Sequence, residues 1–573
     1  MVRVAYNPGN IFHQVWASME ASHHRTSGRN VYLLAALGGG VALIGSLLAA
    51  VAAERPSGTE RRGGRVVIGV PGDVSSFNIY TATNAFSQEV DDLLFLKLAD
   101  EQDDFKEGPP TFRPSLAKSW EFSPDGTRLT FHLDRRARWS DGHPVSGDDV
   151  LFSHRAASST EVSWVGKDVK DLIADVLVPD DRTVVYRFAQ AYPYQLMDAV
   201  EGNVLPAYAY QEVPLAEWPK RAFPNAPVVD GPYLLKRYER GALIELARNP
   251  RYVRAPLPDL DAVVFRIIPD ETTLVNELLT GGIDVMENVP AGSAQRIEAD
   301  PRLRLVRVPD LSYHFICWNT ARPPFADPRV RRALTMAIDR EAIIETLLPG
   351  TGRPCTGPVL SFLWAHDPSL QPLPYDPDAA RTLLKESGWE DRDGDGLLDR
   401  DGRPFRFELE TNQGSRLRAD VAQMVAEQLR RIGIEATPRV YEFGAFIERH
   451  EKHDFDAFVG SWRESTKVDL KSAFHSASRE GGYDYGMYAS AELDAIIDRA
   501  RSTAAKEAAR ALWFKAQAII AADQPYTFLF ERDRLNAVPR LLGGLRMGPH
   551  TAYAGLEHWH WEPARPPAEG RSR

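Results

Sequence analysis

Carboxylates stand at alternate positions in one short stretch of the chain, Asp391-Arg-Asp393-Gly-Asp395-Gly-Leu-Leu-Asp399. This spacing around a glycine turn can converge oxygen atoms on a Ca²⁺ ion, as positions 1, 3, 5 and 9 of an EF-hand loop do. Gly402 replaces the bidentate glutamate of position 12, and Asp-Gly sequences are common in surface turns. We therefore expect a plain turn here, with a structural calcium ion held by the four aspartates as the alternative.

Motifs that indicate catalysis are missing from the sequence. It contains no G-x-S-x-G elbow, H-E-x-x-H helix, P-loop lysine or C-x-x-C pair. His450-Glu-Lys-His453 has two histidines in a charged stretch, which favours a solvated helix face over a metal site. Ser115-Leu-Ala-Lys118 matches the S-x-x-K pattern of penicillin-binding enzymes, but the companion S-D-N and K-T-G motifs are absent. We expect no enzymatic activity and no cofactor.

Length and composition limit the class of protein. The 573 residues exceed what one hydrophobic core supports, so two or more lobes are expected. Apolar residues make up 43% of the chain and charged residues 26%, as in ordinary globular proteins. The net charge of −11 comes without any long run of lysine or arginine, which argues against a nucleic-acid partner.

One segment near the amino terminus must enter a membrane. Val31 to Ala53 carries no charge and follows Arg25 and Arg29. Ala50-Val-Ala52 offers the small residues of a signal-peptidase site, whereas the length of the segment equally permits a permanent anchor. Residues 54–64 are rich in Pro, Gly and charge and are expected to form a linker. The chain after about residue 60 is expected to face the outside of the cytoplasmic membrane.

The rest of the chain predicts mixed strands and helices. Alternating apolar residues and turn sequences predict hairpins at Lys118 to Leu133 and at Tyr233 to Arg248. Phe405 to Val440 has the pattern of a βαβ unit, which implies a parallel strand pair. Asp270 and the three pairs Asp327-Pro328, Asp339-Arg340 and Asp376-Pro377 are typical helix starts. Together, these strands and helices predict an α/β fold.

Several longer stretches then occur in a fixed order. They are GGRVVIGV at 63–70, LAKSWEFSPDGTRLTFHLDRRARWSDGHPVSGDDV at 116–150, GPYLLKRYERGALIELARNPRY at 231–252, PDETTLVNELLTGGIDV at 269–285, PPFADPRVRRALTMAIDREAI at 323–343, and YDPDAARTLLKESGWEDRDGDGLLDRDGRPFRFELETN at 375–412. With these stretches in this order, the chain from about residue 64 to 540 resembles the family 5 extracellular solute-binding proteins. These are the oligopeptide, dipeptide and nickel receptors of ABC transporters.

The resemblance implies a two-lobed periplasmic-binding-protein-like α/β fold of class II, large type, with a hinge. One hydrophobic amino-terminal helix would precede it, after residues 1–30 as a cytoplasmic or leader region. Lobe I would comprise residues 65–312 and 527–562, lobe II residues 313–526, and residues 563–573 would form a flexible tail. The implied hinge crossings lie near 312–319 and 524–530.

The resemblance also implies a function. The chain would be a monomeric, periplasmic or otherwise extracytoplasmic protein that captures a small solute, first of all a peptide, between its lobes. It would deliver this solute to ABC permease subunits in the cytoplasmic membrane. The alternative is a sensory or docking ectodomain of the same fold, anchored by residues 31–53, that binds a non-peptide solute.

In peptide-binding members of the family, an aspartate in a W-x-x-D pattern pairs with the amino group of the ligand. The matching stretch here is Trp462-Arg463-Glu464-Ser465, with serine at the place of the aspartate. We expect Glu464 or Asp469 to substitute for it, or else a ligand that is not a zwitterionic peptide. Further pocket candidates, each with ordinary packing as its alternative, are Phe77, Asn78, Trp318, Asn412, Tyr483 and Tyr485.

Overall fold

The computed structural model describes residues 62–220, 227–480 and 482–563. The hydrophobic segment Val31 to Ala53, most of the linker and the carboxy-terminal tail lie outside these ranges, as does the helix predicted there. Within them, no helix combines the length and the apolar character that a membrane span requires.

Strands occur along the whole described part of the chain. In order they are β1 (Arg65–Val70), β2 (Ala99–Glu101), β3 (Phe112–Pro114), β4 (Ala117–Phe122), β5 (Arg128–Leu133), β6 (Ile173–Asp180), β7 (Thr183–Phe188), β8 (Tyr233–Glu239), β9 (Leu243–Arg248), β10 (Ala262–Ile267), β11 (Val285–Met286), β12 (Leu303–Trp318), β13 (Gly352–Pro354), β14 (Asp399–Arg400), β15 (Arg403–Pro404), β16 (Arg406–Asn412), β17 (Glu435–Tyr441), β18 (Ala457–Arg463), β19 (Tyr526–Pro539), β20 (Leu542–Gly543) and β21 (His560–Trp561).

Helices alternate with these strands and are most frequent after residue 320. They are α1 (Ala85–Leu94), α2 (Gly147–Ser158), α3 (Gln195–Val200), α4 (Ala207–Tyr210), α5 (Glu271–Thr280), α6 (Ala291–Glu298), α7 (Pro323–Ala326), α8 (Pro328–Met336), α9 (Arg340–Leu347), α10 (Pro377–Glu386), α11 (Arg416–Arg430), α12 (Phe443–Glu451), α13 (Lys471–Phe474), α14 (Ala491–Ser502) and α15 (Lys506–Asp523). Short 3₁₀ turns cover Lys167–Lys170, Leu215–Lys220, Ser476–Ser478 and Leu556–His558.

The local signals in the sequence explain where many of these elements begin. The side chains of Asp270, Asp327, Asp339 and Asp376 each accept a hydrogen bond from a main-chain N–H in the first turn of the helix that follows. Strands β16 and β17 pair in parallel with α11 between them, so the predicted βαβ unit is confirmed. Both predicted hairpins are also present, as β4–β5 and β8–β9.

A single large sheet runs through the molecule in the order β17-β16-β18-β12-β19-β11-β1-β10-β9-β8, with β13 paired to β19. The long strands β12 and β19 are antiparallel neighbours from Leu303 opposite Pro539 to Cys317 opposite Tyr526. The register of this pair shifts between Pro309 and Tyr313. Lobe I contains β1 and β8–β11 together with a separate antiparallel sheet, β4-β5-β7-β6, whereas lobe II contains β13, β16–β18 and helices α7–α15.

Separate cores stabilise the two lobes. In lobe I, buried side chains from both chain ends meet, including Val66 and Trp561, and the Trp561 indole donates to the carbonyl of Arg65 at 2.9 Å. In lobe II, β19 contributes its first residues up to Phe530. Beyond the crossing, Leu535 packs in lobe I. The predicted two-lobed α/β fold is thus confirmed, while the residue boundaries given above for the lobes stay predictions.

Candidate functional site

A deep cleft of about 2800 Å³ lies between the two lobes. Lobe I lines it with α1, residues within 160–171, Glu287 directly after β11, and residues 548–557. Lobe II lines it with α12, residues within 462–473, and Tyr483. Because pockets for drug-sized molecules measure roughly 300–1,000 Å³, this cleft has room for a larger ligand.

Aromatic rings form part of the lobe II wall. The ring of Trp462, near the end of β18, stacks on Phe315 and Tyr485 with centroids 5.8 and 6.2 Å apart. Tyr483 lies beside it, 5.5 Å from centroid to centroid. Such a surface offers broad apolar contact that is tolerant of varied ligand side chains.

Glu464 is the first residue beyond β18, and its main-chain N–H donates to the carbonyl of Leu311 on β12 at 2.7 Å. The residue lines the cleft, and its carboxylate forms no ion pair with any described residue. Burial, and then the charge of Asp469, raises the pKa of Glu464 to about 8. Keeping a charged carboxylate unpaired in such a site costs desolvation free energy. A cationic ligand group would compensate for this cost.

Asp469 already has partners within the protein. Its carboxylate accepts from Nε of Arg501 at 2.8 Å and from the main-chain N–H of Lys471 at 3.0 Å. Glu464 is therefore the carboxylate of this segment that remains available to a ligand.

The same segment contacts the opposite lobe. Nζ of Lys467 lies 3.1 Å from Oδ1 of Asp198, whose side chain is only 3% exposed. The Thr466 hydroxyl donates to Oε1 of Glu101 at 2.6 Å. Because these bonds join lobe II to lobe I, they exist only while the lobes are together. Glu464, which lines the cleft, and two residues that bond to the opposite lobe thus lie within the four residues that follow β18.

Lys467→Met tests this role in closure. We expect it to weaken ligand affinity by about tenfold, because Asp198 would be left buried without its cation whenever the lobes close. Calorimetry would give the affinity, and small-angle scattering of the ligand-free protein should show a larger radius of gyration. Lys515→Met, which removes an exposed lysine on α15, is the control. Unchanged scattering and affinity in Lys467→Met would contradict the prediction.

Comparison with known proteins identifies the family. The model for "Bacterial extracellular solute-binding proteins, family 5 Middle" matches residues 111–483. The chain belongs to this family. Family 5 proteins are extracytoplasmic components of transport systems, so the resemblance given by the sequence motifs is confirmed.

Relatives of the family 5 chain align over most of its length. It is 31% identical to the oligopeptide-binding protein AppA of Bacillus subtilis over 515 residues, which cover 88% of this chain and 93% of the relative. It is 25% identical to the dipeptide-binding protein of Escherichia coli over 467 residues, 78% of this chain and 86% of that protein. The structure of B. subtilis AppA in complex with a nonapeptide superposes with a TM-score of 0.73 and 30% identity, covering 88% of this chain and all of AppA.

The family 5 fold brings together only part of the site predicted from the sequence. The residues at the cleft are Trp462, Arg463, Glu464, Asp469 and Tyr483. The others lie behind or away from its lining: they are Phe77, packed edge-on against Tyr238; Asn78, wholly buried; Trp318, wholly buried; Asn412, bonded to Arg418; and Tyr485, buried behind Trp462. A ligand-binding role for each of these ten residues stays a prediction.

Other cleft residues carry no signal in the sequence. Glu89 on α1, Glu287 after β11 and Arg534 on β19 all line the cleft, although almost 450 residues separate the first from the last. None stands in a recognisable motif. Only the pairing of β1, β11 and β19 in one sheet brings these parts of the chain together.

The acidic loop of the family 5 chain lies on the surface of lobe II. One carboxylate oxygen each of Asp391, Asp393 and Asp395 lies within 4.8 Å of the others, whereas Asp399 is not in this group and begins β14. The Asp391 carboxylate accepts from the N–H groups of Gly394 and Gly396, as in a plain turn. Calcium binding stays a prediction, and any such ion would be structural.

The prediction that His450 lies on a solvated helix face is wrong. Its side chain is wholly buried, with Nε2 3.5 Å from the buried carboxylate of Glu410, because the inner face of α12 packs on β16 and β18. The neighbouring charged residues Glu448 and Glu451 lie on the exposed face of α12. They are the reason why the sequence pattern indicated a solvated helix face.

Proposed function

We propose that this chain captures an oligopeptide in the cleft and delivers it to the permease subunits of an ABC transporter. The observation that carries most weight is the cleft itself, about 2800 Å³ between two lobes, with an unpaired carboxylate on one wall. The relative that aligns over 93% of its length is named an oligopeptide-binding protein, and its structure holds a nonapeptide, which supports the same ligand class.

Glu464 binds the amino group of the peptide in this proposal. Its carboxylate has no cationic partner, whereas that of Asp469 is paired with Arg501, and Trp462 lines the same wall of the cleft. The position used by W-x-x-D relatives is occupied by Ser465, whose hydroxyl accepts from the main-chain N–H of Lys467 at 3.2 Å. A serine cannot neutralise an ammonium group, whereas the glutamate one residue earlier can.

The protein acts as a receptor without turnover and as a monomer outside the cytoplasmic membrane. Residues 31–53 either direct export and are removed or remain as an anchor. Both forms leave the two lobes on the same side of the membrane as the permease entrance.

Capture of peptides by the full-length chain, purified in mild detergent, tests the proposal. The protein is incubated with a peptide mixture, washed and analysed by mass spectrometry for retained peptides. Retained peptides should raise the melting temperature in proportion to the logarithm of their concentration. If no peptide is retained and nickel chelates, opines or oligosaccharides are bound instead, peptide capture is disproved.

Peptide affinity should depend on pH with a maximum near pH 8. Below this, the Glu464 carboxyl, with its pKa raised to about 8, must lose a proton before it can pair with an ammonium group. Above it, the peptide amino group, with an ordinary pKa of about 7.7–8.0, loses its own charge. Affinity should therefore rise as the pH increases from 6 to 8, and calorimetry at each pH would measure it. In Glu464→Gln the rise between pH 6 and 8 should disappear, and its persistence there would contradict the assignment.

A further inference from the structure

The cores of the two lobes are separate except at one side chain. One core of lobe II is built from residues 311–528, and Phe105 is its single buried member from any other part of the described chain. The Phe105 side chain is only 2% exposed. It lies in the loop that joins β2 to β3, which pair as an antiparallel hairpin. This β2–β3 hairpin, residues 99–114, therefore reaches from lobe I into the core of lobe II.

The base of the β2–β3 hairpin belongs to lobe I. Ala99 is wholly buried in the lobe I core, and Oδ2 of Asp100 lies 2.6 Å from Nη2 of Arg254. Arg254 also pairs with Glu557 at 3.0 Å, which ties the base to the carboxy-terminal part of lobe I. None of these contacts involves lobe II, so they persist when the lobes separate.

The tip of the hairpin is bonded to lobe II. The carbonyl of Phe105 accepts from the main-chain N–H of Trp364 at 2.9 Å, and the Phe105 ring packs edge-on against Phe362 with centroids 6.0 Å apart. Nη2 of Arg510 on α15 donates to the carbonyl of Glu107 at 3.2 Å. Withdrawing the tip would expose a phenyl ring and its apolar surroundings to water and would break both hydrogen bonds.

The tip lies beside the place where β12 and β19 pass between the lobes. Ser361, the neighbour of Phe362 in the chain, donates its main-chain N–H to the carboxylate of Glu531 on β19 at 2.8 Å. The ring of His550 in lobe I is 6.5 Å from that of Phe105. Because atoms close to a hinge axis move little in a rotation, the lobes can open without pulling Phe105 out of lobe II.

We propose that the β2–β3 hairpin is a third connection between the lobes, and that its tip stays in lobe II when the cleft opens. The strands β12 and β19 are direct neighbours in one sheet, and a hinge made of two paired strands can twist as well as bend. An attachment away from these strands limits both motions. Residues 102–104 and 108–111 join the base to the tip, and their length sets how far the lobes can separate. This role does not depend on the class of ligand.

Pulsed electron paramagnetic resonance on the full-length, ligand-free chain in mild detergent tests the proposal. Spin labels on added cysteines give the distribution of distances between two sites, and both native cysteines are buried. A cleft pair, Glu161→Cys and Glu448→Cys, places labels on opposite walls of the cleft and reports opening. A tip pair, Lys106→Cys and Lys515→Cys, joins the exposed part of the hairpin tip to α15. In the parent protein the tip pair should show one narrow distance, whatever the width of the cleft distribution.

Lengthening the hairpin relaxes the connection without disturbing its packing. Gly-Ser-Gly-Ser is inserted after Gln102 and again after Gly108, so that Phe105 keeps its contacts. The cleft pair should then move apart by about 5 Å or more, while the tip pair keeps its single distance. The same insertion after Asp125, in the exposed turn between β4 and β5, is the control and should change neither distribution.

Phe105→Ala should have a different signature. Without the ring the tip is no longer held, so the tip pair should broaden and the cleft pair should lengthen. Phe105→Leu keeps an apolar side chain at this place and should resemble the parent protein in both distributions.

Two results would overturn the proposal. A second, longer distance for the tip pair in the parent protein would mean that the hairpin leaves lobe II as the cleft opens. An unchanged cleft distance in the protein with the lengthened hairpin would mean that the hairpin does not restrain the lobes. Peptide capture stands in either case, because neither measurement involves a ligand.

Discussion

Glu464→Gln should weaken binding of a peptide with a free amino terminus by about 30-fold or more. Removing one partner of a charge pair within a binding site costs roughly 2–5 kcal/mol, and the half-buried position of Glu464 places it towards the lower end. Titration calorimetry of the variant and the parent protein with one octapeptide would measure the loss. The expected loss is large because Asp469, the neighbouring carboxylate of this segment, is already paired with Arg501.

An N-acetylated form of the same peptide provides the control. It should bind the parent protein about as weakly as the free peptide binds Glu464→Gln, and the variant should not discriminate between the two peptides. If acetylation weakens binding equally in both proteins, the amino group is held elsewhere in the cleft.

Trp318→Ala should lower the free energy of unfolding by about 3–5 kcal/mol. The side chain is wholly buried, its ring stacks on Phe325 at 5.2 Å, and its indole donates to the Thr527 hydroxyl at 3.0 Å. Truncation leaves a large cavity in the lobe II core and removes one hydrogen bond of the Thr527 hydroxyl, whose bond to the Thr335 hydroxyl remains. Urea unfolding followed by circular dichroism would measure the effect.

Trp462→Ala is the matched comparison, since this tryptophan lines the cleft and is only partly buried. It should lose less stability than Trp318→Ala and more peptide affinity, because its ring faces the ligand space. A Trp318→Ala protein that unfolds at the same urea concentration as its parent but binds peptide poorly would instead place Trp318 in the ligand site.

Local features of the fold follow from local features of the sequence. Asp270, Asp327 and Asp376 start helices because each side chain can reach a free N–H of the first turn, whatever the rest of the chain does. The alternation in β16 and the helical period of α11 likewise belong to short stretches. These elements could be predicted with bounds close to those of the structure.

The site depends on distant parts of the chain and could be predicted only in part. Trp462 and Glu464 were recognisable because a family motif passes through them. Glu89 and Glu287 come to line the same cleft only through the order of strands in the large sheet, which no local pattern specifies. Burial was equally hard to predict: His450 and Trp318 are enclosed by neighbouring strands and helices that the sequence does not reveal.

The pairing of β12 with β19 has a consequence for how the molecule is made. Lobe I is complete only when β19 and the indole of Trp561 have joined the segment that begins at Arg65. A ribosome must therefore have released nearly the whole chain before lobe I acquires its last strand and the indole of Trp561. Until that moment part of the lobe I core is missing, so this lobe can complete its folding only when translation is almost finished.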